Sequence, residues 1–223
     1  MRLDPAGLPF IGGALALALI SGAAVAWILA VPFLALGAFF AFFFRDPHRT
    51  SPSDDDSVLS PADGRVLVAG AATANAAPPG DWQQVSIFLS PMDVHVNRIP
   101  ASGRIMRVSY LPGRFLPAYR HDAASANERS EIWIDHHGQA IVARQIVGIL
   151  ARRVVCRVQT GADVRAGDRF GIMKFGSRMD VFLPPTATIR VKVGDVVRGG
   201  ETVIAVLHST WGRGQSVRHQ GTE

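Results

Sequence analysis

The sequence predicts a mainly β (α+β) fold carrying an N-terminal hydrophobic anchor, on three observations. Residues 5–44 contain no charged side chain and hold seven of the twelve phenylalanines, whereas a membrane span needs only about 20 apolar residues. From residue 58 onward, short runs with β-branched alternation recur between clusters of Gly, Pro, Asn and Asp, the pattern of strands joined by tight turns. An octapeptide also returns after 33 residues, as Gly161-Ala162-Asp163-Val164-Arg165-Ala166-Gly167-Asp168 and Gly194-Asp195-Val196-Val197-Arg198-Gly199-Gly200-Glu201, which marks an internal repeat.

The anchor, residues 1–44, comes first. Forty helical residues would reach about 60 Å, twice the hydrocarbon thickness, so the run must break. Pro32 is the expected kink or hairpin apex. A single tilted span followed by an interfacial helix is the alternative. The run ends in Phe39-Phe40-Ala41-Phe42-Phe43-Phe44 against Arg45, unlike the small-residue cleavage site of a signal peptide. The flanking charges (Arg2, Asp4, Arg45, Asp46 and Arg49) are too few to set an orientation by the positive-inside rule.

Residues 45–57, rich in Pro, Ser and Asp, are expected to form a linker, and residues 58–223 the β domain. Strands are expected over 65–69, 83–89, 103–110, 131–135, 140–147, 153–159, 170–174, 179–183, 188–193 and 202–207, and a short helix or structured loop over 115–127. The two octapeptides read as strand, G-x-x-V-x-x-G-D/E, strand. In this they resemble the turns of the lipoyl and biotinyl β-sandwiches, which implies a barrel-sandwich-hybrid-like core.

The net charge of +5 falls on residues 45–223, because Arg2 and Asp4 cancel within the anchor. Of 23 basic residues only Lys174 and Lys192 are lysine. Arginine's planar fork suits phosphate and carboxylate, and a basic residue near an anionic leaflet gains about 1 kcal/mol; a genome biased toward arginine codons would give the same composition. No basic run interleaved with aromatics is present, so no nucleic-acid partner is expected. A lone Cys156 excludes an intrachain disulfide and is expected to be a buried strand residue. The histidines lack a ligand spacing such as H-x-x-x-H, so no metal is expected. His136 and His137 read as surface residues on opposite faces of a strand.

One peptide bond draws the chemistry together. Gly176 has no Cβ, so its carbonyl can be approached closely and its backbone can take strained dihedrals. Ser177 offers the hydroxyl that could attack that carbonyl if a base takes its proton and donors hold the oxyanion. Ester formation, β-elimination to dehydroalanine and hydrolysis of its imine tautomer would cut the chain into residues 1–176 and 177–223, leaving a pyruvoyl group on residue 177. Three further segments stand beside strands: Asp63 in Ser60-Pro61-Ala62-Asp63-Gly64, His95 in Ser90-Pro91-Met92-Asp93-Val94-His95-Val96-Asn97-Arg98, and Asn127-Glu128-Arg129.

With Phe43-Phe44-Arg45-Asp46-Pro47, Ala151-Arg152-Arg153 and Phe175-Gly176-Ser177-Arg178, these segments resemble the short bacterial phosphatidylserine decarboxylases. The resemblance implies a membrane-associated, self-cleaving enzyme that makes phosphatidylethanolamine through a Schiff base between phosphatidylserine and a covalent pyruvoyl cofactor. It implies a β chain ending at Gly176, an α chain starting at Ser177, a decarboxylation role for His95 and a processing role for Asp63. It also implies contact with membrane lipids, at the inner membrane with the catalytic domain on the cytoplasmic face, and leaves room for a homo-oligomer. One position departs: Arg98 stands where longer members carry a second histidine, thought to be the processing base, and an arginine is no general base at neutral pH. Either His95 serves both steps or another residue does, with His121 a candidate by type alone. The alternative from another class is a membrane-tethered biotinyl or lipoyl carrier modified at Lys174, since Met173-Lys174 lies between the repeats; Phe175 counts against it.

Overall fold

The computed structural model describes residues 2–73, 77–120, 122–149, 154–174 and 176–208. Strand β1 (Arg2–Leu3) leads through a 3-10 turn at Pro5–Gly7 into helix α1 (Leu8–Ala24). A second 3-10 turn (Trp27–Leu29) leads into helix α2 (Ala30–Phe43). Strand β2 (Arg45–Asp46) pairs antiparallel with β1, so the helices form a hairpin closed at its open end. Gly37 of α2 faces Ala14 and Leu15 of α1, and the Phe10 and Phe40 rings meet at 5.4 Å. Pro5–Ala24 is long and apolar enough to cross a membrane, whereas Trp27–Phe43 is shorter.

The apex is not at Pro32. The chain turns at residues 25–29, where the Ser21 carbonyl accepts from the Val25 and Ala26 amides and the Ser21 hydroxyl reaches the Leu17 and Leu29 carbonyls. Pro32 sits in the first turn of α2, where an amide has no intrahelical partner to lose.

Fourteen further strands follow: β3 (Ser57–Leu59), β4 (Gly64–Ala71), β5 (Gln83–Leu89), β6 (Val96–Arg98), β7 (Gly103–Leu111), β8 (Arg129–His136), β9 (Gln139–Ile146), β10 (Val154–Cys156), β11 (Asp163–Val164), β12 (Arg169–Met173), β13 (Ser177–Leu183), β14 (Thr188–Ile189), β15 (Val196–Val197) and β16 (Val203–Val206). A short helix α3 (Ala123–Ala126) lies within the expected 115–127 segment. A curled eight-stranded antiparallel sheet has the order β11-β7-β8-β9-β13-β5-β4-β15, and two three-stranded sheets have the orders β10-β12-β6 and β14-β16-β3. Strand alternation explains the core. Val85, Ile87 and Leu89 of β5, Met179, Val181 and Leu183 of β13, and Ile132 and Ile134 of β8 all enter one apolar cluster. The other face of β5 and β13 buries Gln84, Ser86, Arg178 and Asp180, which satisfy one another: Arg178 donates to Asp180 (2.6 Å) and Ser86 (2.9 Å), and Gln84 donates to Ser86 (2.9 Å) and Asp180 (3.2 Å).

The 33-residue repeat is a structural duplication. Gly161 and Gly194, and likewise Gly167 and Gly200, take matching positive φ values (89° and 95°, 86° and 76°). Each octapeptide docks its strand on a Pro-Ala-x-Gly-Arg turn: β11 pairs with β7 at Gly103, and β15 pairs with β4 at Gly64. Those turns, residues 61–65 and 100–104, repeat at an offset of 39 that reading along the chain did not pick out. The bonds correspond as well: Gly161 to Ile105 and Gly194 to Val66, Gly167 to Ile99 and Gly200 to Ser60.

Some expected elements are shorter. The described part of 153–159 is strand only at β10, and 188–193 only at β14, because Lys192 turns into Asp195. Cys156 is half-buried and free. His136 is buried, not a surface residue; only His137 is exposed, since it leaves the strand with φ 51° in the two-residue turn before β9.

Candidate active site

Two crossings between sheets bring the candidate residues together. The chain passes from β5 in the large sheet to β6 in a small one, and from β12 back to β13; β5 pairs with β13, and β6 with β12. The two connections are therefore neighbours. The first carries His95 and the second Gly176-Ser177, with Phe175 outside the described residues. The Met173 amide donates to the His95 carbonyl (3.2 Å), tying the crossings together. Ser177 opens β13 opposite Leu89 of β5.

His95 is fully buried. Its Nδ1 lies 2.9 Å from the Asp93 carbonyl oxygen, which can only accept, so Nδ1 carries the proton and Nε2 presents a lone pair. That lone pair faces the Gly176 amide, whose N–H donates at 3.4 Å. Burial pushes the imidazole down to about 4, outweighing the opposing pull of the Asp93 carbonyl and carboxylate. At neutral pH His95 is an uncharged base. The turn beneath it is fixed by Asp93, which accepts from the Ser90 amide at 2.7 Å, and by Arg45, which donates to the Met92 carbonyl at 2.7 Å.

The Ser177 hydroxyl is fully buried and, among the described residues, has no hydrogen-bond partner. A buried hydroxyl normally finds one. Gly176 holds φ 73°, a conformation that L side chains resist. Its carbonyl lies so close to Gly148 that a Cβ at 148 would collide with the oxygen. Gly148 is a site residue that sequence reading missed. Asn127 explains how it is held: its side chain donates to the Val147 carbonyl (2.8 Å) and brackets Leu116 with two further bonds. The Asn127-Glu128-Arg129 segment thus supports the wall against the Gly176 carbonyl.

Asp63 is not hydrogen-bonded to His95 or Ser177. One carboxylate oxygen accepts from the Gly199 amide and the other from Arg49, both at 2.7 Å. Burial pushes its carboxyl up, against these two partners, which favour the charged form. The Gly199 bond has a counterpart in the other half of the duplication, where the Ala166 amide donates to Ser102 (3.1 Å). What Asp63 adds to that shared turn is the ion pair with Arg49. Arg98 is committed elsewhere: it pairs with Asp46 (3.0 Å) and donates to the Gly167 carbonyl (3.0 Å). His121 and Ala151-Arg152-Arg153 lie outside the described residues.

The end of the N-terminal helical hairpin forms one wall of the site. Phe43, Phe44, Val94, Val96 and Ile172 make a second apolar cluster, and the Phe43 ring lies 4.1 Å from the His95 ring. Lys174 places its ammonium 4.9 Å from the centre of the Phe10 ring of α1.

Residues 36–205 match the family model for phosphatidylserine decarboxylase. The chain is 44% identical over 167 residues to a phosphatidylserine decarboxylase proenzyme of Pelodictyon phaeoclathratiforme, covering 75% of this chain and 78% of that protein. It is 41% identical over 203 residues to the proenzyme of that name from Nitrosomonas europaea (91% and 94% covered), and 39% over 202 residues to that of Desulfotalea psychrophila (90% and 94%).

Proposed function

The chain belongs to the phosphatidylserine decarboxylase family, and from that premise we propose that it decarboxylates phosphatidylserine to phosphatidylethanolamine with a pyruvoyl group made from its own Ser177. The observation that carries this reading is the pairing of an unpartnered, buried Ser177 hydroxyl with a neutral His95 whose Nε2 faces the adjacent amide.

In maturation, His95 Nε2 takes the Oγ proton while Oγ bonds to the Gly176 carbonyl carbon. The Gly176–Ser177 C–N bond breaks and its nitrogen receives the proton, leaving an ester. Loss of the Cα proton expels the Gly176 carboxylate and leaves dehydroalanine at 177; water then replaces its nitrogen, released as ammonia, to give the ketone. This assigns the processing step to His95, the first of the two alternatives that Arg98 left open. The fully buried position suits it, because water would otherwise compete for the ester. The pyruvoyl group supplies a ketone that condenses with the substrate's amine and draws electrons from Cα as carbon dioxide departs. In turnover the neutral Nε2 of His95 would accept a proton that the substrate's ammonium gives up on entering the site and return it to Cα after carbon dioxide leaves. Asp63 acts through Arg49 and Gly199, fixing the chain that leaves the anchor against the second octapeptide.

The substrate's acyl chains are best accommodated by the anchor, which borders His95 directly. This supports an enzyme that works at a membrane surface, and we place it at the inner membrane with its domain on the cytoplasmic face on the family resemblance alone. The paired octapeptides on matched Pro-Ala-x-Gly-Arg turns support a barrel-sandwich-hybrid core. A carrier modified at Lys174 is not supported: the family is a decarboxylase, and the lysine packs against the anchor's Phe10.

The mass of the purified protein tests the reading. Wild type should give a 1–176 fragment and a blocked 177–223 fragment that borohydride links to phosphatidylserine. Ser177→Ala should remain one inactive chain. Two fragments from Ser177→Ala, or full activity after hydroxylamine, would overturn it.

A further inference from the structure

A second cluster lies far from this site. Arg129, at one end of β8, shares a register with Ile146 and so with Arg178, next to Ser177. His136 is seven residues further along β8, about 23 Å away at roughly 3.3 Å per residue. There Asp55, His136 and His137 each bring one donor atom, all within 4.8 Å of one another.

We propose that these three side chains bind a divalent first-row transition cation of the zinc class. His136 is the observation that points to a ligand. Its Nδ1 lies 2.7 Å from the Ser102 carbonyl, so Nδ1 carries the proton; its Nε2 is buried and, among the described residues, has no hydrogen-bond partner. An imidazole whose Nδ1–H is held by a backbone carbonyl, with Nε2 left free, is the arrangement of a metal-ligating histidine. An unpaired buried nitrogen is otherwise costly. His137 Nε2 and Asp55 Oδ2 stand 2.8 Å apart, and both side chains are exposed. Ligands on a tetrahedral ion with bonds of about 2.0–2.2 Å sit about 3.3–3.6 Å apart, so this pair need open by only about 0.5–0.8 Å.

The left-handed backbone of His137 brings its ring onto the ligand side. In a continuing strand the two imidazoles would face apart, whereas here their rings meet at 4.5 Å. Two imidazoles and one carboxylate suit zinc, cobalt or nickel better than magnesium or calcium, which require more oxygens. The adjoining cavity, of about 570 Å³, is lined by Arg104 and Arg165 but also by Asp135 and Asp163, so its charges offset. A bound ion would join residue 55, just before β3, to the tip of the β8–β9 hairpin.

The test uses the full-length protein without an affinity tag, purified in detergent, stripped with chelator and titrated with zinc chloride alone. One equivalent should bind, raising the melting temperature, while magnesium chloride has no effect. His137→Ala, an exposed position, and Asp55→Asn should each weaken zinc binding at least tenfold and abolish the melting shift, with decarboxylase activity unchanged. His136→Gln provides a third arm if it folds. Failure to bind one equivalent, or equal binding by wild type, His137→Ala and Asp55→Asn, would overturn the proposal.

Discussion

The Phe43 ring at the end of the N-terminal helical hairpin lies 4.1 Å from the His95 imidazole, so this hairpin is part of the environment that keeps the histidine uncharged. Removing the ring should admit water and let the imidazole rise toward its ordinary value near 6.5. Wild-type precursor should then cleave at about pH 5.5 almost as fast as at neutral pH. Phe43→Ala should lose most of its rate there, because an ordinary imidazole is about nine-tenths protonated at that pH. The variant should also lose about 3–5 kcal/mol of stability. Cleavage followed by gel electrophoresis across pH 4.5–8 decides it: identical acid limbs would separate Phe43 from the state of His95.

The depressed His95 also makes a stability prediction. Its folded value of about 4 lies below the ordinary 6.5, so between those values the unfolded chain binds more protons than the folded one. The contribution is fully present above about pH 6.5 and is lost as pH falls toward 4, by about 3 kcal/mol in total. Urea unfolding of Ser177→Ala, which stays uncleaved, should show this loss relative to Ser177→Ala/His95→Gln. Parallel pH dependences in the two proteins would count against it.

Gly148→Ala should fold yet remain full-length. Its Cβ would occupy the space taken by the Gly176 carbonyl oxygen and push the scissile carbon away from Ser177; a misplacement of about 1 Å costs on the order of 10²-fold in rate. Normal cleavage with native circular dichroism would remove Gly148 from the site.

These residues divide by what a linear pattern can reveal. Residues 83–89 and Ser177 stand out because alternation marks strands flanking a Gly-Ser pair, and β5 has the expected bounds. Gly148 does not, and Phe43 stands out only within the Phe43-Phe44-Arg45-Asp46-Pro47 segment, with no sign of its contact with His95. Val147-Gly148 looks like an ordinary strand end, and Phe43 is one of seven phenylalanines in an apolar run whose composition does not single out the ring that meets His95. Their importance comes from the adjacency of the β5–β6 and β12–β13 crossings, a tertiary relation without a local signature. Pro32 misled for the opposite reason: proline marks a break by itself, but the first turn of a helix tolerates it.

The last prediction separates the two functions of Asp63. Its bond to the Gly199 amide repeats that of Ser102 to Ala166, which needs only an acceptor, whereas its pairing with Arg49 needs a charge. Asp63→Asn keeps an acceptor and loses the charge; Asp63→Ala loses both and leaves the Gly199 amide without its partner, at a cost of about 1–3 kcal/mol. If the turn alone matters, Asn should restore wild-type cleavage while Ala slows it. If the ion pair holds the anchor's exit against the site, both should accumulate precursor, and Arg49→Gln should do the same despite leaving the turn intact. We expect the second outcome, because Arg49 also bonds Glu201 at 2.8 Å and so ties the segment that carries Phe43 to the second octapeptide, directly at Glu201 and through Asp63 at Gly199. His95→Ala provides the reference, with cleavage itself lost, or turnover lowered by roughly 10² to 10⁴ in any fraction that does cleave. Band ratios and carbon dioxide release from the cleaved fraction, measured on all four variants, assign each residue to maturation or to turnover, and normal maturation of Arg49→Gln would refute the ion-pair role.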